Sequence, residues 1–107
     1  METLIEWTQN LKESNKLIIV EGKKDKEALE RLDVTNKIIT ISNKSRIFLE
    51  NINEETVILT DLDKHGKKLY SIIKNNLQKR KIKVDMKFRE FLFKERISHI
   101  EGIKIDL

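Results

Sequence analysis

The sequence predicts an α/β fold of three layers, α/β/α and Rossmann-like, around a central four-stranded, mostly parallel sheet. Three observations lead there. Short apolar runs, Leu17-Ile18-Ile19-Val20, Ile38-Ile39-Thr40-Ile41 and Val57-Ile58-Leu59-Thr60, show no polar alternation, as strands buried on both faces do. Segments of helical period separate them, so strand and helix alternate along the chain. The chain of 107 residues contains no proline, no cysteine and three glycines, and is free of repeats, linkers and low-complexity tracts. A single domain spanning 1–107 is expected, with an N-terminal helix over 1–15, a core over 16–100 and a C-terminal extension over 101–107.

Each element has its own signal. Leu4, Trp7 and Leu11 stand at i, i+3 and i+7, the stripe of a short amphipathic helix ending near Asn15. Trp7 is expected as a core anchor. Leu17–Val20 is the first strand, broken by Glu21-Gly22. Lys23 to Leu32 places Ala28, Leu29 and Leu32 on one helical face, and Ile38–Ile41 is the second strand. Ser42-Asn43-Lys44-Ser45 offers N-cap residues for a helix carrying Ile47, Phe48 and Ile52. Val57–Thr60 is the third strand and ends at Asp61-Leu62-Asp63. From Lys64 to Arg80, Leu69, Ile72, Ile73 and Leu77 form a strong apolar stripe. Ile82 and Val84 mark a fourth strand, and Phe88, Phe91 and Leu92 one or two helical turns. Ile97–Ile100 and Ile103–Leu107 are expected as short edge pieces.

Composition narrows the function classes. Without cysteine, disulfides, thiolate metal sites and cysteine nucleophiles are excluded. No apolar run is long enough for a bilayer span. The acidic start Met1-Glu2-Thr3-Leu4-Ile5-Glu6-Trp7 is not a signal peptide, so a cytoplasmic setting without membrane contact is expected. The net charge of +4 is uneven: residues 1–63 carry 9 basic against 13 acidic side chains, and residues 64–107 carry 13 against 5. The densest basic stretch, Lys79-Arg80-Lys81-Ile82-Lys83 with Lys87 and Arg89 beyond, fits either a polyanionic partner, RNA or DNA, or a solvated, lysine-rich surface.

In parallel sheets ligands sit beyond the carboxyl ends of the strands, where the connections reverse direction. There the sequence places Glu21 after the first strand and Asp61-Leu62-Asp63 after the third. If those strands are neighbours, three carboxylates converge. Asp61 and Asp63, at i and i+2, then share a face and can both reach one cation. Bare carboxylates so close repel and one pKa rises, whereas a divalent ion such as Mg²⁺ or Mn²⁺ removes the conflict. Glu21 is then the acid free to carry a proton. Asp63 can equally serve as a helix cap. Asp25 can support the site or simply the helix start, and Lys23 and Lys24 can meet phosphates or solvent. Gly66, near the start of the next helix, fits close packing or the approach of a phosphate. Tyr70 and His99 are expected as structural residues, His65 as an exposed helix residue, and Phe88, Phe91 and Phe93 as packing.

The segments Leu17 to Asp25 and Val57 to Gly66 together resemble the Toprim domain, shared by type IA and type II topoisomerases, bacterial primases, 5S ribosomal RNA maturation ribonucleases, OLD-family nucleases and RecR-type recombination proteins. The likeness covers residues 16 to 100 and is nearest to small stand-alone Toprim proteins of archaea and bacteria. The resemblance implies that Glu21 is a general acid or base in phosphodiester cleavage or nucleotidyl transfer. It implies that Asp61 and Asp63 coordinate Mg²⁺, and that Gly22 admits close backbone approach. His65 stands where the type II pattern adds a third aspartate, a departure from that branch. The alternative is a module of the same fold that binds nucleic acid or a protein partner without turnover. A phosphatase of the HAD type is disfavoured, because its nucleophilic aspartate follows the first strand.

Overall fold

The computed structural model describes residues 2–41 and 46–103. The expected Ser42–Ser45 cap, the packing of Ile47 and Phe48, and the end of the Ile103–Leu107 piece lie outside what is described. The chain runs α1 (Leu4–Ser14), β1 (Leu17–Val20), α2 (Lys23–Arg31), β2 (Ile38–Thr40), β3 (Thr56–Ile58), α3 (Lys64–Lys79), β4 (Val84–Asp85) and α4 (Lys87–Lys94), with 3-10 segments at Arg46–Asn51 and Ile100–Gly102. All pairings are parallel, in the order β2-β1-β3-β4. The connection after β2 crosses over β1, so the order reverses between β1 and β3. That is the crevice at which open α/β sheets bind ligands.

Strand alternation sorts the core. Ile18, Val20, Val57 and Leu59 face the layer of α1, α2 and α4. Leu17, Ile19 and Ile58 face Leu49, Ile52, Ile73 and Leu77, from the 3-10 segment and α3. The three-layer α/β/α arrangement follows. The N-terminal helix belongs to this core: Trp7 is wholly buried, its Nε1–H donates to the Phe88 carbonyl at 2.9 Å, and its ring stacks on Phe91.

Four expectations change. The Ile47–Ile52 helix is a 3-10 segment. The third strand leaves the sheet at Ile58, although the Leu59 N–H still donates to the Ile19 carbonyl at 2.8 Å. β4 has only two residues, with Ile82 outside it, and offers no ladder partner farther on. Thr60 and Asp61 therefore bond to side chains instead. Residues 97–103 form no edge strand: Ile97 N–H closes onto the Leu92 carbonyl behind α4, and Ile100 and Ile103 are buried in the core. At the amino end of the sheet, Lys16 Nζ binds Asp85 at 2.6 Å and Glu55 at 2.9 Å, a latch on the rim opposite Glu21. No helix among the described residues is long and apolar enough to cross a membrane.

Candidate metal centre

The carboxylates meet where β1 and β3 end side by side. Glu21 follows β1 directly. Gly22 then opens α2, and Asp25, 6% exposed, turns back so that its Oδ2 accepts the Gly22 N–H at 3.0 Å. Asp63 caps α3 through one oxygen only: Oδ1 accepts the Gly66 N–H at 2.7 Å, while Oδ2 lies 3.7 Å from His99 Nε2. Capping and ligation are thus compatible at this residue. Asp61 is inside the crevice, its side chain 14% exposed, with Oδ2 3.6 Å from the same imidazole nitrogen. Two groups of ligand atoms result, each within 4.8 Å of one another: Glu21, Asp25 and Asp61; and Asp61, Asp63 and His99.

The Asp61–Asp63 loop is fixed by its backbone. Arg89 of α4 donates from Nε to the Thr60 carbonyl at 3.2 Å and from Nη2 to the Asp61 carbonyl at 2.9 Å. The Leu62 N–H donates to the Ser98 carbonyl at 2.9 Å, and Thr60 Oγ1 donates to the Gly66 carbonyl at 2.8 Å. Gly66 is where α3 presses against this loop. A Cβ there would lie 2.0 Å from the Asp61 carbonyl oxygen. Gly22 differs, because a Cβ would meet nothing nearer than Asp25 Oδ2 at 4.0 Å, which leaves its backbone open toward the crevice.

The charge balance is unfavourable as it stands. Glu21 Oε1 and Asp61 Oδ1 are buried without a hydrogen-bond partner. Burial, the facing Asp61 carboxylate, and the charges of Asp63 and Asp25 push Glu21 up to about 8 from its ordinary 4.5. Burial also raises Asp25, against the Gly22 N–H that holds it down. Orphaned, inward-facing carboxylate oxygens of this kind are the donor set of a hard divalent cation. Glu21 and Asp61 fit Mg²⁺ or Mn²⁺ on that ground, and Asp25 and Asp63 each bring a further oxygen to one of the two groups.

The basic residues expected to bind nucleic acid are not gathered here. α3 begins at the crevice and runs 16 residues away from it, about 24 Å. Lys79, Lys81 and Lys83 are exposed at its far end. The Arg80 guanidinium donates to the carbonyls of Leu49, Glu50 and Ile52, holding the 3-10 segment. Arg89 does reach the crevice, but it braces the loop and lies over the Tyr70 ring, 4.2 Å from its centroid. Lys23 is 88% exposed and 3.9 Å from Glu27, and Lys24 and His65 are exposed. Phe88 and Phe91 are core, whereas Phe93 is 63% exposed. The residue that sequence reasoning missed is His99. Its Ile-Ser-His-Ile setting looks like an edge strand, and long-range contacts, among them the Leu62–Ser98 bond, bring it over the acids.

No family model matches the chain. Over 96% of its length it is 38% identical to UPF0292 protein MJ1624 of Methanocaldococcus jannaschii, and it covers 86% of that protein. A UPF0292 protein of Thermococcus sibiricus is 35% identical across 97% of the chain and 82% of its own length. A solved structure of a protein from Aquifex aeolicus superimposes with a TM-score of 0.87 at 38% identity, covering 96% of this chain and 100% of that one. Identity at this level over nearly whole chains leaves one conclusion: the chain belongs to the UPF0292 family.

Proposed function

We propose that this protein is a Mg²⁺-binding protein of the Toprim type that acts in the cytoplasm on nucleic-acid phosphodiesters, by hydrolysis or by nucleotidyl transfer. The observation that carries this is the pair of buried, unpartnered oxygens, Glu21 Oε1 and Asp61 Oδ1, at the point where the strand order reverses. Asp61, which belongs to both ligand groups, would hold the cation, with Asp63 on one side and Glu21 and Asp25 on the other. When bound, it supplies neutralising charge for a phosphate and a more acidic water. Glu21 keeps a proton near neutral pH because of burial and its anionic neighbours, and that proton is available to a leaving oxygen. Arg89 keeps the Asp61 backbone in place from behind. The groove lined by Tyr70, Lys74, Met86, Arg89, Glu90, Phe93 and Lys94 shares Arg89 with this loop and offers three cations against one acid, with an exposed ring, to a nucleic-acid strand.

One observation favours a second reading, a module that binds nucleic acid or a protein partner without turnover. The Lys79–Lys83 stretch lies at the far end of α3 and would not serve a substrate held at Glu21. Labelled single- and double-stranded RNA and DNA, incubated with the protein and Mg²⁺ or Mn²⁺, separate the two. Cleavage or transfer is expected, with Glu21→Gln slowing it by about 10²- to 10⁴-fold while its melting temperature is kept. Full activity in Glu21→Gln would contradict the assignment of the proton carrier. Binding without reaction by the wild type would favour the module.

A further inference from the structure

We propose that His99 is a metal ligand, and that with Asp61 and Asp63 it forms a nitrogen-containing position selective for a first-row transition-metal dication, beside the all-oxygen group of Glu21, Asp25 and Asp61. This rests on the reading that the crevice carboxylates hold a cation, and deepens it by naming a second class of ion.

The geometry comes first. His99 Nε2 is 3.6 Å from Asp61 Oδ2 and 3.7 Å from Asp63 Oδ2. Bonds of about 2.0–2.1 Å to a tetrahedral ion set ligand atoms about 3.3–3.4 Å apart. The two His99 distances are a few tenths of an ångström beyond that spacing, and all three ligand atoms lie within 4.8 Å of one another, so closing onto an ion is an adjustment of side chains that are partly exposed.

The other ring nitrogen is already engaged. Ser98 Oγ lies 3.0 Å from His99 Nδ1. A metal-binding histidine commonly engages its second nitrogen with such a partner, and a hydroxyl, which can accept from Nδ1–H, is compatible with Nε2 turning its lone pair to a metal. The backbone is fixed too: the Ser98 carbonyl accepts the Leu62 N–H, the His99 carbonyl accepts the Gly102 N–H, and Ile100 is buried in the core. A half-exposed imidazole on a backbone fixed at both sides, with Nε2 beside two carboxylates, is placed for a ligand's role.

The chemistry gives the selectivity. Mg²⁺ prefers oxygen donors, whereas imidazole nitrogen favours the later first-row ions. Asp61 belongs to both groups, so an ion at either position draws on the same side chain.

Co²⁺ is the probe, because it is a later first-row ion and its paramagnetism moves the ring protons of a bonded imidazole far outside the ordinary ¹H NMR range. The chain has two histidines, His65 and His99, which makes the assignment direct. The Co²⁺-loaded wild type should show one set of shifted imidazole resonances, kept in His65→Ala and absent in His99→Ala. Affinity for Zn²⁺ and Co²⁺ should fall about tenfold or more in His99→Ala, with Mg²⁺ affinity held within about twofold. Melting in EDTA checks that the variant is folded. Co²⁺ bound without shifted imidazole resonances, or resonances that survive in His99→Ala, overturns the histidine ligand and leaves the carboxylate site standing. No binding of Co²⁺, Zn²⁺ or Mg²⁺ to the wild type overturns both.

Discussion

Gly66→Ala is expected to lower the melting temperature by about 10 °C or more and to dislodge the Asp61–Asp63 loop, an effect of about 3 kcal/mol in a domain of this size. The new Cβ would sit 2.0 Å from the Asp61 carbonyl oxygen, 2.6 Å from its carbonyl carbon and 2.9 Å from its Cα. All three are backbone atoms, so no rotamer change relieves the clash. The loop has no free direction in which to yield. Arg89 grips the Thr60 and Asp61 carbonyls, and Ser98 grips Leu62. Asp63 is tied to the Gly66 N–H itself. Gly22→Ala is the matched control. That residue is extended, with φ −146°, and its nearest atom stands at 4.0 Å, so a change of about 1 kcal/mol or less is expected. Thermal unfolding of the two variants side by side checks the contrast, and equal melting temperatures would contradict it.

The second large effect is a pH dependence that a divalent cation reverses. Glu21 is raised in the folded state to about 8 from an ordinary 4.5. Its folded form therefore binds the proton more tightly than the unfolded chain does. Stability from this group is complete below the unfolded value and is lost as pH rises through the folded one. With metal removed by EDTA, the melting temperature should fall by about 5–10 °C between pH 5 and pH 9, after allowance for partial solvation of the group. Glu21→Gln should flatten that slope. In saturating Mg²⁺ the trend should disappear or invert, because a cation binds the deprotonated carboxylates and its affinity climbs as Glu21 loses its proton. Melting curves across pH, with and without Mg²⁺, test this. A metal-free protein whose stability does not decline over that range would contradict the crowded-carboxylate picture.

How much of this was legible in the sequence differs by element. Leu17–Val20 followed by Glu21 announces itself, because four apolar residues without alternation have no exposed face and the next acid must be at a rim. Asp61 and Asp63 read the same way, and the β1–β3 pairing that unites them with Glu21 follows from the reversal of strand order. β4 was overdrawn at Ile82, because a two-residue strand leaves almost no pattern. The basic stretch misleads for a different reason. Charge density along a sequence says nothing of position, yet a helix that starts at Asp63 and runs 16 residues must carry Lys79 away from the acids. Arg80 and Arg89 counted as free charge but bond to backbone carbonyls, contacts with no local signature. His99 was hidden because its approach to Asp61 comes from long-range contacts, among them the backbone hydrogen bond across 36 residues from Leu62 to Ser98 and the burial of Ile100.

The central claim is that acids from two strand ends share one hydrated cation. Calorimetric titration of Mg²⁺ into the metal-free wild type and into Asp61→Asn addresses it without assuming any substrate. Saturable binding by the wild type is expected, weakened at least tenfold in Asp61→Asn, with both proteins folded. Equal binding by the two proteins, or none by the wild type at millimolar Mg²⁺, would contradict it.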